Sequence, residues 1–300
     1  MRQAATARSD LRPARVWWLA ARPATLAVSV SPVLAGTALA VHHGAHRPLA
    51  AIGALVVAIA MQIAVNFAND YSDFVRGADT RRVGPLRAAS SGVIPPREVK
   101  RAALICFGVA AVAGLALSLG TDWRLMLVGV LAVLAGWLYT GGPKPYGYLG
   151  LGEVFVFVFF GLVATAGTVY VQLLRIPLAT WPIAAAMGAL ACAVLAINNL
   201  RDTGSDAASG KRTLAVRLGR ERTRYMVGAF FVASLLLPVV AVAYAGIPPL
   251  AVLPLLTAPA MLRVYRLTAS REPRVLIACL KRTAAVEVWF ALLWALGLVL

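Results

Sequence analysis

Acidic side chains are scarce in this sequence, because Asp and Glu together supply only 12 of its 300 residues. Charged residues of both signs reach 14%, whereas apolar residues reach 60% and the mean hydropathy is +0.79. No segment is polar enough to form an independent soluble module. These values exclude an ordinary soluble domain and are typical of a polytopic membrane protein.

Cysteine is also rare. Cys106, Cys192 and Cys279 are isolated in the sequence, and two of them lie inside apolar runs. They have neither the spacing of a metal site nor an obvious disulfide partner. We therefore interpret them as reduced, small apolar residues.

Long apolar runs, in contrast, are abundant. Nine of them are long enough, or nearly so, to cross a bilayer as helices, so the sequence predicts an all-α polytopic bundle of nine transmembrane helices. The runs cover residues 24–41, 49–68, 102–120, 124–140, 154–174, 182–199, 225–245, 247–262 and 283–300. Four prolines in and beside the eighth run predict a kinked or partly non-helical segment there.

The basic residues indicate the orientation of the chain. With the N-terminus in the cytoplasm, all of the 29 Lys and Arg residues except Arg47, Arg124 and Arg175 fall on the cytoplasmic side. The net charge of +17 is therefore a topology signal, assisted by attraction to anionic membrane lipid, and does not indicate a nucleic-acid partner. The basic segment 1–23 resembles the start of a signal peptide, but the apolar stretch that follows is long for one.

Two acidic clusters stand where apolar runs end. Asn66, Asp70 and Asp73 are spaced i, i+4 and i+7, which places them on one face of a helix near its last turn. A second cluster, Asn198, Asp202 and Asp206, follows another apolar run. Both are expected on the cytoplasmic side, within long polar loops at residues 66–101 and 198–224. Anions this close together need a counter-cation, and their oxygen atoms suit Mg²⁺.

Cations accompany both clusters, and a glycine-rich loop at residues 139–153 adds Lys144. Carboxylates that bind Mg²⁺, together with cations that bind phosphate oxygens, suit a diphosphate. At a membrane surface, such a site fits a substrate with an anionic head and a hydrocarbon tail, such as a polyprenyl diphosphate. Metal binding withdraws charge from the diphosphate, so the allylic C–O bond can ionise in a pocket that excludes water.

The segments NFANDYSDFVRGADTRRVGPLRAASSG (66–92) and NNLRDTGSDAASGKRTLAVRLG (198–219) resemble the two aspartate-rich motifs of the UbiA-type intramembrane prenyltransferases. Residues 139–153 and 21–26 resemble, more narrowly, the branch that prenylates 1,4-dihydroxy-2-naphthoate in menaquinone synthesis. The resemblance implies a central cavity within one nine-helix domain, residues 24–300, after the cytoplasmic segment 1–23. It also implies an enzyme of the cell (inner) membrane, with its active site facing the cytoplasm, that transfers a polyprenyl group and releases CO₂ and diphosphate.

The resemblance also assigns residues by matching position. Catalysis and Mg²⁺ binding fall to Asp70, Asp73, Asp202 and Asp206, with Lys144 as a further catalytic residue. The predicted contacts to the polyprenyl diphosphate and the aromatic acceptor are polar side chains from both motifs and their neighbours: Arg22, Asn66, Asn69, Asp79, Arg81, Arg87, Tyr139, Asn198, Asn199, Lys211 and Arg212.

Two other interpretations of the acidic clusters remain open. A cation-coupled transporter also carries membrane carboxylates, but these usually lie near the bilayer midplane, whereas the clusters here lie at helix ends among cations. A related prenyltransferase for a benzoate, homogentisate or haem acceptor would share both motifs. The sequence leaves the prenyl chain length and the oligomeric state open.

Overall fold

The computed structural model describes residues 12–77 and 87–300, and every regular element in this part of the chain is helical. The two stretches outside it include Asp79 and Arg81. We number the helices in chain order: α1 Pro13–Ala20, α2 Pro23–His42, α3 Pro48–Val75, α4 Pro96–Leu119, α5 Leu125–Leu138, α6 Gly152–Leu173, α7 Thr180–Ala208, α8 Leu214–Ala245, α9 Ala258–Leu267 and α10 Pro273–Val299. Short 3₁₀ helices precede α6 and α9.

Seven helical segments in the described part of the chain are long and apolar enough to cross a membrane. They are α2, α3, α4, α6, α7, α8 and the segment Pro249–Leu267, which joins a 3₁₀ helix to α9. The prediction of an all-α polytopic membrane protein is thereby confirmed. The predicted count of nine spans would require two further helices to cross the membrane, α5 with 14 residues and α10 with 27.

The predicted bounds of the two polar loops, residues 66–101 and 198–224, are wrong, because helices occupy part of both segments. Helix α3 continues to Val75, α7 continues to Ala208, and α8 begins at Leu214. The cluster Asn66, Asp70 and Asp73 and the cluster Asn198, Asp202 and Asp206 therefore lie within the last turns of helices. The helices continue because their polar positions share one face, while Phe67 and Ala68 are buried between them and keep α3 packed.

Helix α7 is the central element of the larger apolar core. It packs against α2, α6, α8 and α10, and its many alanines allow close approach. The crossing with α6 is tight, because a Cβ atom on Gly161 would lie 2.5 Å from the Gly188 Cα atom. Residues 157–163 of α6 form a π-helical turn at this crossing, a rare feature that often marks functional sites.

A second, smaller core joins α1, α3 and α4, and a cavity of about 370 Å³ lies between the two cores. Helices α2, α3, α5, α6 and α7 supply most of its wall. We call the end of the cavity at Asp73 and Asp202 the motif end. At the other end, Arg47 donates hydrogen bonds to the carbonyl oxygens of Gly120 and Val171, at 2.9 and 3.2 Å, and so ties α4 to α6.

The glycine contact between α6 and α7 predicts a stability difference between two matched variants. Gly161→Ala should lower the midpoint of thermal unfolding in detergent by several degrees, because overpacking a tight core costs about 1–3 kcal/mol. Gly167→Ala lies in the same helix, and its added methyl group meets open space. Equal midpoints for the two variants would contradict the packing described here.

Candidate active site at the motif end of the cavity

The motif end of the cavity brings the two acidic motifs together. Asn69 and Asp73 come from α3, and the second motif contributes a run of residues along one face of α7. The polar side chains that line this end include Arg22, Asn66, Asn69, Asp73, Arg87, Tyr139, Tyr148, Asn198, Asn199, Asp202, Asp206 and Lys211. The predicted meeting of the two motifs is thus present in the structure.

Asp73 is a carboxylate of the site with several bonded partners and is 2% exposed. Its Oδ1 atom accepts from Lys211 Nζ at 2.8 Å and from the Tyr148 hydroxyl at 2.5 Å, and its Oδ2 atom accepts from an Arg87 nitrogen at 2.7 Å. Two cations compensate the cost of burying this carboxylate. Arg87 follows Asp73 within the first motif, residues 66–92, whereas Lys211 comes from the second motif, residues 198–219.

Lys211 links the two motifs. Its Nζ atom lies 2.8 Å from Asp73 and 4.0 Å from Asp206 Oδ1, so one ammonium group stands between carboxylates of α3 and α7. The same ammonium lies 4.6 Å from the centroid of the Tyr148 ring. Burial and the nearby Asp73 raise the pKa of Tyr148, so its hydroxyl keeps its proton and donates.

Asp202 is held by its sequence neighbour. The Arg201 guanidinium donates to both carboxylate oxygens, at 2.7 and 2.6 Å, and also to Asn198 Oδ1 at 2.9 Å. Arg201 and Tyr148 are site residues that are absent from the set predicted from the sequence. The signal for Arg201 was its place inside the motif NNLRD, next to a predicted metal ligand.

Asn69 and Asn66 differ in what they offer to the cavity. The Asn69 Oδ1 atom accepts from the Thr140 hydroxyl at 2.7 Å, so its amide nitrogen remains as a donor for the cavity. The Asn66 amide is bonded on both sides, since it donates to Ala21 and Thr25 and accepts from Gln62. Asn66 therefore joins α3 to the turn before α2, and its predicted contact with substrate stays a prediction.

Asp70 points elsewhere. It is 1% exposed and does not line the cavity, and its carboxylate accepts from the backbone N–H groups of Ala88 and Ala89 at 2.7 and 3.3 Å. These bonds fix the segment that begins with Arg87. A metal role for Asp70 stays a prediction, but the contacts indicate a residue that positions Arg87.

Arg22 is a cation of the cavity wall whose guanidinium forms no hydrogen bond or ion pair within residues 12–77 and 87–300. It lies at the turn between α1 and α2 with φ of 52°, a left-handed conformation that is uncommon for residues other than glycine. Burial and the nearby Arg87 lower the pKa of Arg22 to about 10, so it remains charged at neutral pH. It is therefore available to an anionic ligand.

Other predicted site residues lie outside this arrangement. Lys144 and Arg212 are exposed and do not line the cavity, so their contacts with diphosphate stay predictions. Asp79 and Arg81 fall outside the described residues. In the part of the chain that is described, no group of three His, Cys, Asp or Glu side chains is close enough to hold a metal. A Mg²⁺ ion here would need oxygen atoms from a substrate as well as from the protein.

Beyond the polar residues the cavity wall is apolar. Its side chains come mainly from α2, α3, α5 and α6, and aromatic rings stand next to the polar end. The Tyr146 and Phe155 rings are stacked with centroids 3.9 Å apart, and Phe159 continues the stack at 6.2 Å from Phe155. The arrangement can hold an anionic head beside the motifs and a hydrocarbon chain along the remaining wall.

The chain is similar to known prenyltransferase sequences. The chain matches the model of the UbiA prenyltransferase family over residues 29–285. It is similar to a Mycobacterium tuberculosis protein named 1,4-dihydroxy-2-naphthoate octaprenyltransferase, with 46% identity over 276 residues that cover 91% of this chain and 93% of that protein. An Escherichia coli protein of the same name is 42% identical over 229 residues, which cover 74% of each chain.

Solved structures show the same fold at low sequence identity. A UbiA homolog from Aeropyrum pernix superposes with a TM-score of 0.68 at 16% identity, covering 91% of this chain and 96% of that one. A UbiA homolog from Archaeoglobus fulgidus, bound to GPP and Mg²⁺, gives a TM-score of 0.67 at 14% identity, covering 95% and 99%.

The different contacts of Asp73 and Asp70 predict different effects of the same substitution. Asp73→Asn should lower turnover on the order of a hundredfold or more and raise the Mg²⁺ concentration needed for half-maximal rate. Asp70→Asn should lower the thermal midpoint, because the two N–H groups lose a charged acceptor, while leaving the Mg²⁺ requirement unchanged. An equal shift of Mg²⁺ dependence in both variants would show that Asp70 is a ligand, as the sequence predicts.

Proposed function

The chain belongs to the UbiA prenyltransferase family, and we propose that it transfers a polyprenyl group from polyprenyl diphosphate to 1,4-dihydroxy-2-naphthoate. CO₂ and diphosphate leave, and the product is demethylmenaquinol, an intermediate of menaquinone biosynthesis. The similarity to relatives that carry this activity in their names supports the choice of acceptor. The cavity, polar at the motif end and apolar beyond it, is the observation that carries the proposal for the donor.

The diphosphate would lie among the residues that now pair with one another. Asp73, Asp202 and Asp206 line the motif end and would hold Mg²⁺ together with oxygen atoms of the diphosphate, since carboxylate oxygens suit a hard cation. When bound, the metal supplies charge neutralisation at the leaving diphosphate. Arg87 and Lys211, which contact Asp73 at 2.7 and 2.8 Å, would turn towards diphosphate oxygens. The A. fulgidus homolog, which has the same fold, was solved with GPP and Mg²⁺ bound, and this supports the choice of a prenyl diphosphate and Mg²⁺ as the bound species.

Arg22 and the amide nitrogen of Asn69 would complete the anion site. Arg22 is charged at neutral pH and has no bonded partner in the described part of the chain, so binding an anion there breaks no existing ion pair. Asn69 keeps its amide nitrogen free of the Thr140 contact. Both therefore bind an anionic substrate group at little cost to the protein.

The apolar wall would protect the reacting carbon from water. After the allylic C–O bond breaks, the prenyl cation must meet the acceptor before it meets a hydroxide or a water molecule. Tyr146, Phe155 and Phe159 line the cavity beside the polar end, and aromatic faces attract cations. These rings would therefore stabilise the cation while excluding water.

The acceptor chemistry explains the loss of CO₂. In 1,4-dihydroxy-2-naphthoate the carbon that bears the carboxylate lies beside a hydroxyl, which donates electron density to it. Attack by the prenyl cation at this carbon forms a C–C bond and a tetrahedral centre without a hydrogen. The ring regains its aromaticity when the C–CO₂ bond breaks and its electron pair returns to the ring, so no protein base is needed for this step.

We also propose the finer topology that the sequence predicts. Nine spans cross the cell (inner) membrane within one domain, residues 24–300, with the N-terminus and the motif end in the cytoplasm. The distribution of basic residues supports this orientation. The helices α5 and α10 complete the count beside the seven segments already described.

The acceptor can be identified by following its carboxyl group. Carboxyl-labelled 1,4-dihydroxy-2-naphthoate should release one labelled CO₂ for each prenyl group transferred, and only when both Mg²⁺ and the prenyl diphosphate are present. Scintillation counting of released CO₂ beside quantification of the prenylated product checks this ratio. A prenylated product that keeps the label, or faster turnover of a benzoate, would place the enzyme in another branch of the family.

The second prediction concerns the prenyl tail. A Cβ atom on Gly129, in the wall contributed by α5, meets no atom within 4 Å, so Gly129→Phe places a ring inside the cavity. Gly129 lies about 15 Å along the helix from Tyr139, at 1.5 Å per residue. We expect the variant to lose turnover with long polyprenyl diphosphates and to keep it with short ones.

The matched control for the tail is Gly108→Phe. Gly108 also has open space around its Cβ position but lines a separate groove between α3 and α4. This control should retain turnover with donors of every length. A uniform loss across all donor lengths in Gly129→Phe would contradict a tail that follows this wall.

The third prediction concerns orientation. In a variant lacking the native cysteines, a cysteine at exposed Ser209 should react with a membrane-impermeant maleimide only from the cytoplasmic side. A cysteine at exposed His46, beyond the far end of α2, should react only from the opposite side. Labelling of both positions from one side would contradict the proposed topology.

A further inference from the structure

Glu153 is a buried carboxylate that the proposed mechanism does not use. It lies in the first turn of α6, is 5% exposed, and does not line the cavity. No Lys, Arg or His in the described residues forms an ion pair with it. Its two carboxylate oxygens differ. Oε1 accepts one hydrogen bond, whereas Oε2 has no hydrogen-bond partner within the described residues. Burying a carboxylate without a cation is costly, so its position calls for a reason.

The one side-chain partner of Glu153 in that part of the chain belongs to the second motif. The Asn199 amide nitrogen, Nδ2, donates to Glu153 Oε1 at 3.1 Å. A carboxylate only accepts, so the nitrogen end of the Asn199 amide must face Glu153. Asn199 lines the cavity, and its carbonyl oxygen, Oδ1, is therefore the atom that remains for the cavity.

The position of Asn199 gives that oxygen a use. Asn199 and Asp202 are spaced i, i+3, so they share one face of α7, and both line the motif end. Asn66, in contrast, has both ends of its amide bonded to protein groups. Of these two amides, only that of Asn199 is held by a carboxylate, and it presents an oxygen beside a predicted metal ligand.

We propose that Glu153 is a positioning residue that holds the Asn199 amide with its oxygen towards the cavity, where it serves as a neutral ligand for the divalent cation of the bound diphosphate. This inference rests on the proposed function, because it assumes a metal–diphosphate complex at the motif end. Residues that orient a metal ligand typically change metal affinity or activity by about 10- to 100-fold when replaced.

The test measures binding without turnover. Mn²⁺ binding to the purified protein is followed by electron paramagnetic resonance in the presence of inorganic diphosphate. Glu153→Leu removes the acceptor and should weaken Mn²⁺ binding by roughly 10- to 100-fold. Glu153→Gln keeps an acceptor oxygen and should bind nearly as well as the wild type. Glu98→Gln, at an exposed pair with Arg101, is the control for loss of a carboxylate and should have no effect.

A pair of substitutions tests the polarity of the contact directly. Asn199→Asp places two carboxylates against each other and should weaken Mn²⁺ binding or lower the thermal midpoint. Adding Glu153→Gln to this variant gives an amide nitrogen at position 153 that can donate to the new carboxylate at position 199. The hydrogen bond then runs in the opposite direction, and the double variant should recover the Mn²⁺ binding or thermal midpoint that Asn199→Asp loses. This rescue keeps the inference testable if Glu153→Leu does not fold.

The possible results distinguish a failure of the proposed function from a failure of the positioning role of Glu153. If the wild type itself does not bind Mn²⁺ with diphosphate, the proposed function fails. If the wild type binds while Glu153→Leu binds equally well, or while Glu153→Gln gives no recovery of Asn199→Asp, the positioning role is overturned and the proposed function stands.

Discussion

The buried carboxylate of Asp73 is the constraint on which the rest of this site depends. An anion at 2% exposure requires cations, and the structure supplies Arg87 from the segment after α3 and Lys211 from the segment after α7. Lys211 therefore connects motifs that lie far apart in the chain. The same two cations suit diphosphate oxygens, so the groups that stabilise the folded site are also those that the proposed substrate needs.

The helical frame serves this arrangement. The last turns of α3 and α7 carry the acidic clusters beyond the apolar runs. The Asn66 amide, which accepts from Gln62 of the same helix, ties α3 to the turn that carries Arg22 by donating to the Ala21 carbonyl oxygen. Asp70 fixes the segment of Arg87 through two backbone N–H groups. Some polar residues at the motif end thus face the cavity, and others hold the cavity-facing residues in place.

Local features of the chain were predictable and long-range contacts were not. The run 24–41 becomes Pro23–His42, because hydropathy and length are properties of one segment. The meeting of the motifs followed from their similar spacing and common side of the membrane. Spacing places Asn66, Asp70 and Asp73 on one helix face, so it cannot distinguish the cavity-lining Asp73 from Asp70, which bonds to residues 88 and 89. Tyr148 and Glu153 were missed because their roles arise from tertiary neighbours, whereas Arg201 was missed although its partners Asn198 and Asp202 lie beside it in the second motif.

The central claim is that Asp73, Arg87 and Lys211 exchange their mutual contacts for a metal-bound diphosphate. The most direct test is an experimental structure of the protein with Mg²⁺ and a thiolodiphosphate analogue of the donor, which does not ionise. We expect density for the diphosphate at the motif end, with Lys211 and Arg87 on its oxygens and Asp73 facing the metal. A diphosphate bound elsewhere, with both ion pairs of Asp73 intact, would contradict it.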